Sequence, residues 1–366
     1  MVARQEDPPR LEGGPGVSAL PDTAAARDAF AVEAAPLAGW MAHHVEGFRG
    51  PLAVTRFSGG QSNPTYRLRT PFRDYVLRRK PPGPLVPGAH AIEREVKVQA
   101  ALGRAGFPVA RIHGLCEDPS VIGSAFYVME HVEGRIVWDA TFPDVPRQDR
   151  PAHFLAMTRT LAALHRLDPA ALGLSDYGRP GNYVARQIER WSRQYREDAV
   201  AGRDPRMDRL VEELPRLVPP GDEAALVHGD FRCDNMIFHP AEPRVLAVLD
   251  WELSTLGHPL ADFAYHAMMY RIPPRIVAGL DGADLAALNI PDEGGCIAAY
   301  CEATGRSGIP HWDFYVAFNI FRLAAIFHGI KGRVLRGTAA SPQARERAES
   351  FPHLVALAID ALERAA

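Results

Sequence analysis

Three oxygen-bearing side chains stand at defined intervals in the stretch from Leu226 to Tyr270. Asp230 follows a short apolar run, Asn235 comes five positions later, and a second apolar run, Val245 to Leu249, ends at Asp250. Carboxylate and amide oxygens bind hard cations such as Mg²⁺, and a carboxylate can also accept the proton of a hydroxyl. The pattern of strand, loop and strand predicts that these side chains gather at one edge of a small sheet, facing a magnesium-bound polyphosphate.

The motifs around these residues resemble those of a known superfamily. H-G-D-F-R-x-D-N at 228–235, followed by L-D-W-E at 249–252, is similar to the catalytic core of aminoglycoside phosphotransferases and choline kinases. Protein kinases share the Asp-to-Asn spacing in their H-R-D-x-x-x-x-N loop. The resemblance covers roughly residues 45–340 and implies an α+β, two-lobed protein-kinase-like fold, with a small antiparallel-sheet N-lobe and a mostly helical C-lobe. It also implies ATP (or GTP) as phosphoryl donor and Mg²⁺ as cofactor.

The resemblance assigns roles within the catalytic segment. Asp230 is the predicted catalytic base, and Asn235 and Asp250 are the predicted metal pair. His228 is expected to hold the loop through hydrogen bonds, and Arg232 is placed with it in the catalytic set. The plainer alternatives are a turn cap for Asp230, a turn residue for Asn235 and a helix N-cap for Asp250.

Two acids that follow the segment are assigned to supporting roles. Glu252 either reaches a second metal or the substrate, or faces solvent. Asp262 lies on a predicted helix that begins after Pro259. Similar aspartates in kinase-like folds bond the backbone of the catalytic loop, whereas the alternative is an acid favoured by the helix dipole in the first turn.

The first third of the chain supplies the residues predicted to contact phosphates. Arg78 ends a predicted strand, Glu95 on the following helix is its acidic partner, and Lys80 on the same face as Arg78 is the rival cation. The segment Ser58–Asn63 lies between two predicted strands, where its backbone N–H groups can face an anion; the alternative is a plain hairpin turn. The predicted phosphate-side residues are Ser58, Gly59, Gly60, Ser62, Asn63, Arg78 and Glu95.

The run from Phe126 to Val132 resembles the strand and hinge that line an adenine pocket. Backbone groups of Glu130 and Val132 are predicted to pair with the base, and Met129 is predicted to lie behind it. Taken as sequence alone, the run is a buried strand that leads into a turn.

Local motifs narrow the resemblance to one branch. V-L-R-R-K-P-P-G at 76–83, N-Y-x-x-R-Q-I-x-R-W at 182–191 and L-D-W-E-L-S-T-L-G-H-P-L-A-D at 249–262 resemble the phosphotransferase-like domain of acyl-CoA dehydrogenase family member 10 and 11 type proteins. The resemblance implies a hydroxyacyl-CoA as the phosphate acceptor and a functional link to an acyl-CoA dehydrogenase. The chain, which has no room for a dehydrogenase domain, is expected to be a free-standing relative.

A basic helix is the candidate for binding the acceptor. Arg186 and Arg190 fall on one side of it, and Trp191 and Tyr195 are predicted to floor a pocket. The alternatives are a solvated helix face and core aromatics. The net charge of −3 argues against the strongly acidic cleft that a polycationic antibiotic would need. An aminoglycoside or amino-alcohol kinase and a catalytically silent nucleotide- or acyl-CoA-binding pseudokinase remain the alternative functions.

Composition predicts a soluble globular protein, with 47% apolar and 23% charged residues. The near-zero net charge gives no general attraction to nucleic acid or to an anionic membrane, and no stretch reaches transmembrane length. The four cysteines, of which only Cys296 and Cys301 lie close together in the sequence, and the lack of a signal-peptide core predict a reduced, cytoplasmic setting. The oligomeric state stays open, because the apolar helix 312–330 either buries a dimer face or packs the large lobe.

The predicted elements divide the chain into three parts. Residues 1–23 form a disordered tail, residues 24–132 an N-lobe and residues 133–366 a helical C-lobe, with a hinge around Gly134. Strands are predicted at 52–57, 65–69, 74–79, 111–115 and 125–130. Helices are predicted at 28–44, 90–102, 151–166, 183–199, 205–217, 259–270, 295–302, 312–335 and 344–364.

Overall fold

The computed structural model describes residues 30–57, 63–83, 90–339 and 343–365. The predicted tail and the predicted phosphate-loop residues Ser58, Gly59, Gly60 and Ser62 lie outside the described residues. The N-terminal part is a five-stranded antiparallel sheet in the order β1-β2-β3-β5-β4, with two helices. Its elements are α1 (Ala34–His44), β1 (Ala53–Arg56), β2 (Thr65–Arg69), β3 (Asp74–Arg79), α2 (Ile92–Arg104), β4 (Ile112–Cys116) and β5 (Phe126–Glu130).

Alternation along β3 and β5 sends successive side chains to opposite faces of this sheet. Tyr75 and Leu77 pack into one cluster with α1. Val76 packs into a second cluster with Met129 on the other face. Arg78 follows Val76 at a step of two and therefore points to the same face as Val76, which is the face that borders the cleft. The alternation predicted from the sequence thus places Arg78, and not Arg79, on the face that borders the cleft.

The remainder of the chain is mostly helical and packs around one large core. Its helices are α3 (Arg150–His165), α4 (Tyr183–Glu197), α5 (Pro205–Glu213), α6 (Pro259–Ala267), α7 (Pro274–Val277), α8 (Leu285–Leu288), α9 (Glu293–Thr304), α10 (Trp312–Leu335) and α11 (Ala344–Ala365). The predicted helix over 205–217 ends as an α-helix at Glu213 and continues as a 3₁₀ turn, Leu214–Arg216, with Pro215 inside that turn. Proline lacks the N–H that an α-helix needs at this point.

Helix α10 is the axis of the helical lobe. Within the described residues it is the helix long and apolar enough to cross a membrane, yet 89% of its apolar window is buried inside the fold. It packs against α11, α6 and α4. The structure therefore accounts for the apolar run as core packing within the chain.

The strands around the catalytic segment do not form the single small sheet that the sequence predicts. Strand β6 (Ala225–Val227) pairs with β9 (Thr255–Gly257), and β7 (Met236–Phe238) pairs with β8 (Val245–Val248). The two apolar runs thus belong to separate two-stranded ribbons. Strands of three or four residues carry too little pattern to specify a partner, so the pairing is set by the connecting loops.

The β7–β8 ribbon is hydrogen-bonded to both parts of the fold. Arg135, the last residue of the predicted hinge, exchanges two backbone hydrogen bonds with Phe238 of β7, at 3.0 and 2.8 Å. The N–H of Val248 in β8 donates to the carbonyl of Pro108, between α2 and β4, at 2.9 Å. Gly134 fits closely against the ribbon, since a Cβ there would lie 2.4 Å from Ile237 Cγ2.

Candidate active site

A cleft of about 660 Å³ lies between the sheet and the helical lobe. Its size is typical of pockets for small molecules and cofactors. Val76, Ala110, Met129 and Ile237 make one part apolar, whereas Arg78, Asp234, Asn235 and Asp250 make another part polar. The cleft thus offers an apolar slot for a planar group beside a charged region.

The loop that carries Asp230 is anchored from below by Asp262 on α6. The Asp262 carboxylate accepts hydrogen bonds from the backbone N–H groups of His228 and Gly229, both at 2.8 Å, and from His165 Nε2 at 3.1 Å. Burial raises the pKa of Asp262, but His165 and the donors on the loop outweigh burial and hold this pKa below its ordinary value. The buried carboxylate is therefore ionised and fully hydrogen-bonded.

His228 props the loop in the manner the sequence predicts. Its Nε2 lies 2.8 Å from the carbonyl of Leu249 and its Nδ1 accepts from the N–H of Asp230 at 3.1 Å. These two bonds fix the tautomer with the proton on Nε2. Gly229 adopts a φ of +85°, and a Cβ there would lie 2.9 Å from the carbonyl oxygen of Leu253, so the turn requires glycine.

Each oxygen of Asp230 has an identified partner. Oδ1 accepts from the Tyr265 hydroxyl at 2.5 Å and lies 3.4 Å from Arg232 Nε, and Oδ2 accepts from Asn235 Nδ2 at 3.0 Å. Burial raises the pKa of the Asp230 carboxyl, but Arg232, Tyr265, His228 and Arg322 outweigh burial and hold the pKa below its ordinary value. Asp230 is therefore an ionised carboxylate at neutral pH, as a proton acceptor must be.

The side-chain amide of Asn235 is oriented by Asp230. Its Nδ2 donates to both the carbonyl and the carboxylate of Asp230, at 2.8 and 3.0 Å. Because Nδ2 is used in this way, Oδ1 is the atom that turns away from Asp230 and is available to a cation. Within the described residues no group of three or more His, Cys, Asp or Glu side chains could hold a metal ion. Asn235 and Asp250 would therefore bind Mg²⁺ together with phosphate oxygens and water, as is usual for this ion.

Asp250 is aimed into the cleft by a left-handed backbone conformation, with φ 62° and ψ 63°. Its Oδ1 accepts from Arg78 Nη2 at 2.9 Å. Arg78 also pairs with Glu95 at 3.1 Å and with Glu252 at 3.5 Å. Burial lowers the pKa of Arg78, but these acids outweigh burial and raise the pKa above its ordinary value. Arg78 is thus a permanent cation in the polar region of the cleft.

The structure separates the two rival cations, Arg78 in β3 and Lys80 just after it. Arg78 lines the cleft, whereas Lys80 pairs with Glu93. Glu252 approaches Arg78, which places it on the cleft side of its turn. Arg232 donates to Asp234 at 2.7 Å beside the base.

The predicted base-binding segment lines the apolar part of the cleft. Met129, Glu130 and Val132 all contribute to its surface. The N–H of Glu130 donates to the Arg111 carbonyl at 2.8 Å, so this group is already used by the sheet. A nucleobase in the cleft would therefore have to use the carbonyl of Glu130, together with the backbone of Val132.

Asn63 does not line the cleft, and its predicted contact with phosphate through the backbone N–H stays a prediction. Its side chain is fully buried, donates from Nδ2 to Glu95 at 3.0 Å and pairs through Oδ1 with His90 at 2.9 Å. Tyr127 donates a further bond to Glu95 at 2.9 Å. Hydrogen bonds from Asn63 and Tyr127 thus position the Glu95 carboxylate, which pairs with Arg78.

The predicted acceptor-binding helix does not line the cleft. Tyr195 is 0% exposed, and its hydroxyl bonds the carboxylate of Asp208 at 3.0 Å, so it belongs to the core and cannot floor a pocket. Trp191 packs partly buried against the same core. Arg186 donates to the carbonyl of Arg179, and Arg190 lies over the Trp191 ring. Four of four predicted acceptor residues thus lie away from the cleft lining.

Sequence reasoning missed four residues at the site. Tyr265 bonds the base, and Arg322 donates to the carbonyl of Gly229 at 2.7 Å while its guanidinium lies 5.0 Å from the Tyr265 ring centroid. Ile136 and Trp138 line the cleft beyond the hinge, and Trp138 is 70% exposed. The sequence does single out Arg322, because it is the only Asp, Glu, Lys or Arg in the apolar run between Phe314 and Ile330.

The sequence model of the phosphotransferase enzyme family matches residues 53–296. The match covers well over half of the chain and contains Asp230, Asn235 and Asp250. The chain belongs to the phosphotransferase enzyme family. The superfamily resemblance predicted from the H-G-D-F-R-x-D-N and L-D-W-E motifs is therefore confirmed.

Two curated relatives of this phosphotransferase-family chain confirm the predicted branch. It is 44% identical to mouse acyl-CoA dehydrogenase family member 10 over 313 residues, which are 85% of this chain and 29% of the relative. It is 46% identical to chicken acyl-CoA dehydrogenase family member 11 over 321 residues, 86% of this chain and 41% of the relative. The chain thus spans less than half the length of these relatives.

Solved structures confirm the kinase-like fold. A Ralstonia eutropha protein described as an aminoglycoside phosphotransferase is 47% identical, with a TM-score of 0.83 over 91% of this chain and 99% of that one. Choline kinase from Cryptosporidium parvum has a TM-score of 0.57 over 90% of this chain and 96% of that one, at 12% identity. At that identity the likeness to choline kinase shows the fold alone.

Removing the Asp250 carboxylate should abolish the magnesium dependence of nucleotide binding. For Asp250→Ala we expect the affinity for ATP in Mg²⁺ to fall roughly 10- to 100-fold, because a cation ligand is lost. In EDTA the affinity should be unchanged or higher, since Arg78 is released towards phosphate. Calorimetry with and without Mg²⁺ measures both values.

Asp250→Asn serves as the matched variant for this experiment. It keeps an oxygen for Arg78 but lacks the charge that a hard cation prefers. An equal loss of ATP affinity by Asp250→Ala in Mg²⁺ and in EDTA would show that Asp250 contributes to folding or to the cleft shape and does not bind the cation.

Proposed function

We propose that this chain transfers the γ-phosphate of ATP to a hydroxyl group of a small molecule, with Mg²⁺ as cofactor. The proposal depends on one observation: Asn235 and Asp250 line the polar part of a cleft whose other part suits a nucleobase, and the Asp230 carboxylate accepts a hydrogen bond from Asn235. Phosphoryl transfer needs positioning and charge stabilisation more than covalent chemistry. The three side chains supply both.

Each residue of the site has a proposed role that follows from its position. Asp230 orients the acceptor hydroxyl and takes its proton, and Arg232 stands beside it as a cation for the transferred phosphoryl group. Arg78, held by Glu95, contacts the remaining phosphates. Asn235 and Asp250 would hold Mg²⁺, which neutralises charge on the phosphates when it is bound. Met129 and Val132 border the base.

A hydroxyacyl-CoA is the acceptor that we propose. The support is the high identity to acyl-CoA dehydrogenase family members 10 and 11, whose names point to acyl-CoA chemistry and to a dehydrogenase working with this domain. The arginine-rich face of α4 no longer adds support, because its residues lie outside the cleft lining. The four cysteines are free and buried, which suits a reduced, cytoplasmic setting.

A side-by-side acceptor screen tests this function. ADP release from Mg-ATP is measured with 3-hydroxyacyl- and 4-hydroxyacyl-CoAs, with amino alcohols and with aminoglycosides. The hydroxyacyl-CoAs should stimulate ADP release and gain one phosphoryl group by mass spectrometry. The matched controls are the same acyl-CoAs without the hydroxyl, which should give no stimulation.

The other outcomes separate the alternatives. Faster transfer to an aminoglycoside or an amino alcohol would replace the proposed acceptor and keep the kinase reaction. Saturable ATP binding with no ADP release on any acceptor or on water would replace the enzyme with a nucleotide-binding module.

A further inference from the structure

The two oxygens of the Asp230 carboxylate have different surroundings. Oδ1 takes the short bond from Tyr265, at 2.5 Å, and is flanked by Arg232 at 3.4 Å. Oδ2 accepts one hydrogen bond among the described residues, from Asn235. A carboxylate oxygen has two acceptor sites, so Oδ2 keeps one for another donor.

We propose that Tyr265 is a positioning residue that holds Oδ1 and so makes Oδ2 the atom that receives the acceptor proton. The inference rests on the proposed function, which it deepens by assigning the reacting atom. The acceptor O–H donates to Oδ2 and its proton moves there. The new bond joins the acceptor oxygen to the γ-phosphorus, and the bond from that phosphorus to the bridging oxygen breaks, leaving ADP.

Helix α6 is built to place this hydroxyl. Asp262 and Tyr265 stand three positions apart on it and therefore share one face. Asp262 bonds the backbone of the loop, and Tyr265 bonds the side chain that the loop presents. Helix α6 thus fixes both the position of the loop backbone and the orientation of the Asp230 carboxylate.

The tyrosine itself is immobilised and stays protonated. It is buried, and Arg322 covers its ring while bonding the Gly229 carbonyl. Burial, together with the charge of Asp230, raises the pKa of Tyr265 well above its ordinary value. Its hydroxyl is therefore a donor to Oδ1 throughout the accessible pH range.

The test is Tyr265→Phe, measured with Mg-ATP hydrolysis to water as the probe reaction. We expect kcat to fall roughly tenfold, with the KM for ATP changed less than about twofold, because Asp230 loses its orientation whereas Tyr265 does not line the cleft proposed to hold the nucleotide. The acid limb of the pH–rate profile should move to higher pH, because a donor that favours the ionised carboxylate is gone. A purely structural tyrosine would leave that limb in place.

Tyr195→Phe is the matched control. It also removes a buried hydroxyl that bonds an aspartate, Asp208, but the structure places it in the core and away from the cleft. Its kcat and its acid limb should equal those of the wild type. If Asp230→Asn is inactive while Tyr265→Phe keeps the wild-type kcat and acid limb, the inference is wrong and the proposed function stands.

A double-mutant cycle keeps the inference testable even if no variant, the wild type included, turns over ATP. Urea unfolding is measured for wild type, Tyr265→Phe, Asp230→Ala and the double variant. The two single changes should be non-additive by roughly tenfold in the unfolding equilibrium constant, as expected for residues in direct contact. Additive effects would show that Tyr265 does not hold Asp230 and would overturn the inference. A wild type that does not turn over ATP, with the coupling intact, would count against the proposed function alone.

Discussion

Asp230→Asn should lower phosphoryl transfer by roughly 100- to 10,000-fold, the usual contribution of a positioned general base. The amide cannot accept the acceptor proton at neutral pH. It can still fill the same space, with its oxygen accepting from Asn235 and its Nδ2 donating to Tyr265, whose hydroxyl can also act as acceptor. ATP binding measured by calorimetry should therefore change less than about threefold, because Asp230 reaches the cleft through Asn235.

The pH dependence of the wild type follows from the same site. The pKa of Asp230 lies below its ordinary value, so transfer should be level around neutrality and fall only as the pH drops through that lowered pKa. The free energy of unfolding should depend on pH in the same direction. Since the pKa of an aspartate in the unfolded chain is about 3.9, ionised Asp230 stabilises the fold above that pH, and this stabilisation is lost as the pH falls through the lower pKa of the folded state.

Asp208→Asn is the matched control for the Asp230 variant. Asp208 is also bonded by a tyrosine and an arginine, Tyr195 and Arg203, but it lies half-buried on α5 and does not line the cleft. Its turnover should equal that of the wild type. Transfer by Asp230→Asn at more than about a tenth of the wild-type rate would mean that another group accepts the proton.

Asp262→Ala should be the most destabilising single change near the site. It strands two buried backbone N–H groups, those of His228 and Gly229, and removes the partner of His165. Breaking a buried charged network of this kind costs about 3 kcal/mol or more. We expect a lower urea midpoint at pH 7 and a loss of turnover, since the loop that presents Asp230 is no longer held.

An exposed aspartate that also bonds a backbone N–H provides the comparison. Asp292 caps α9 by accepting from Gly295 at 2.8 Å, and Asp292→Ala should cost only about 1 kcal/mol without loss of turnover. Equal costs for Asp262→Ala and Asp292→Ala would show that the buried network does not anchor the loop.

The parts of the site that the sequence predicts correctly depend on short-range pattern. The strands Thr65–Arg69 and Asp74–Arg79 have their predicted bounds because alternation is a local property. The same alternation carries Arg78 to the cleft. The spacing of Asp230, Asn235 and Asp250 likewise encodes a compact unit, since a short loop connects the first two and the β7–β8 ribbon connects Asn235 to Asp250.

The parts that the sequence misses depend on long-range contacts. Asn63 sits in a turn-like motif, yet its partner Glu95 lies 32 positions later. Tyr195 has helical spacing that fits a pocket as well as a core, and only packing decides between them. Tyr265 reads as one more apolar residue of α6, because its hydroxyl partner is 35 positions earlier in the chain. No local pattern carries that information.

The β7–β8 ribbon has a consequence for how the lobes move. Its two backbone bonds to Arg135 and its bond to Pro108 tie it to the hinge and to the sheet-bearing lobe, while its ends present Asn235 and Asp250. Any rotation of the sheet-bearing lobe must therefore also act on the ribbon that carries the two side chains proposed to hold the cation. Because thermodynamic coupling is reciprocal, if a change in lobe arrangement that shifts the ribbon alters the affinity for the proposed magnesium ion, binding of that ion must favour the lobe arrangement that holds it more tightly.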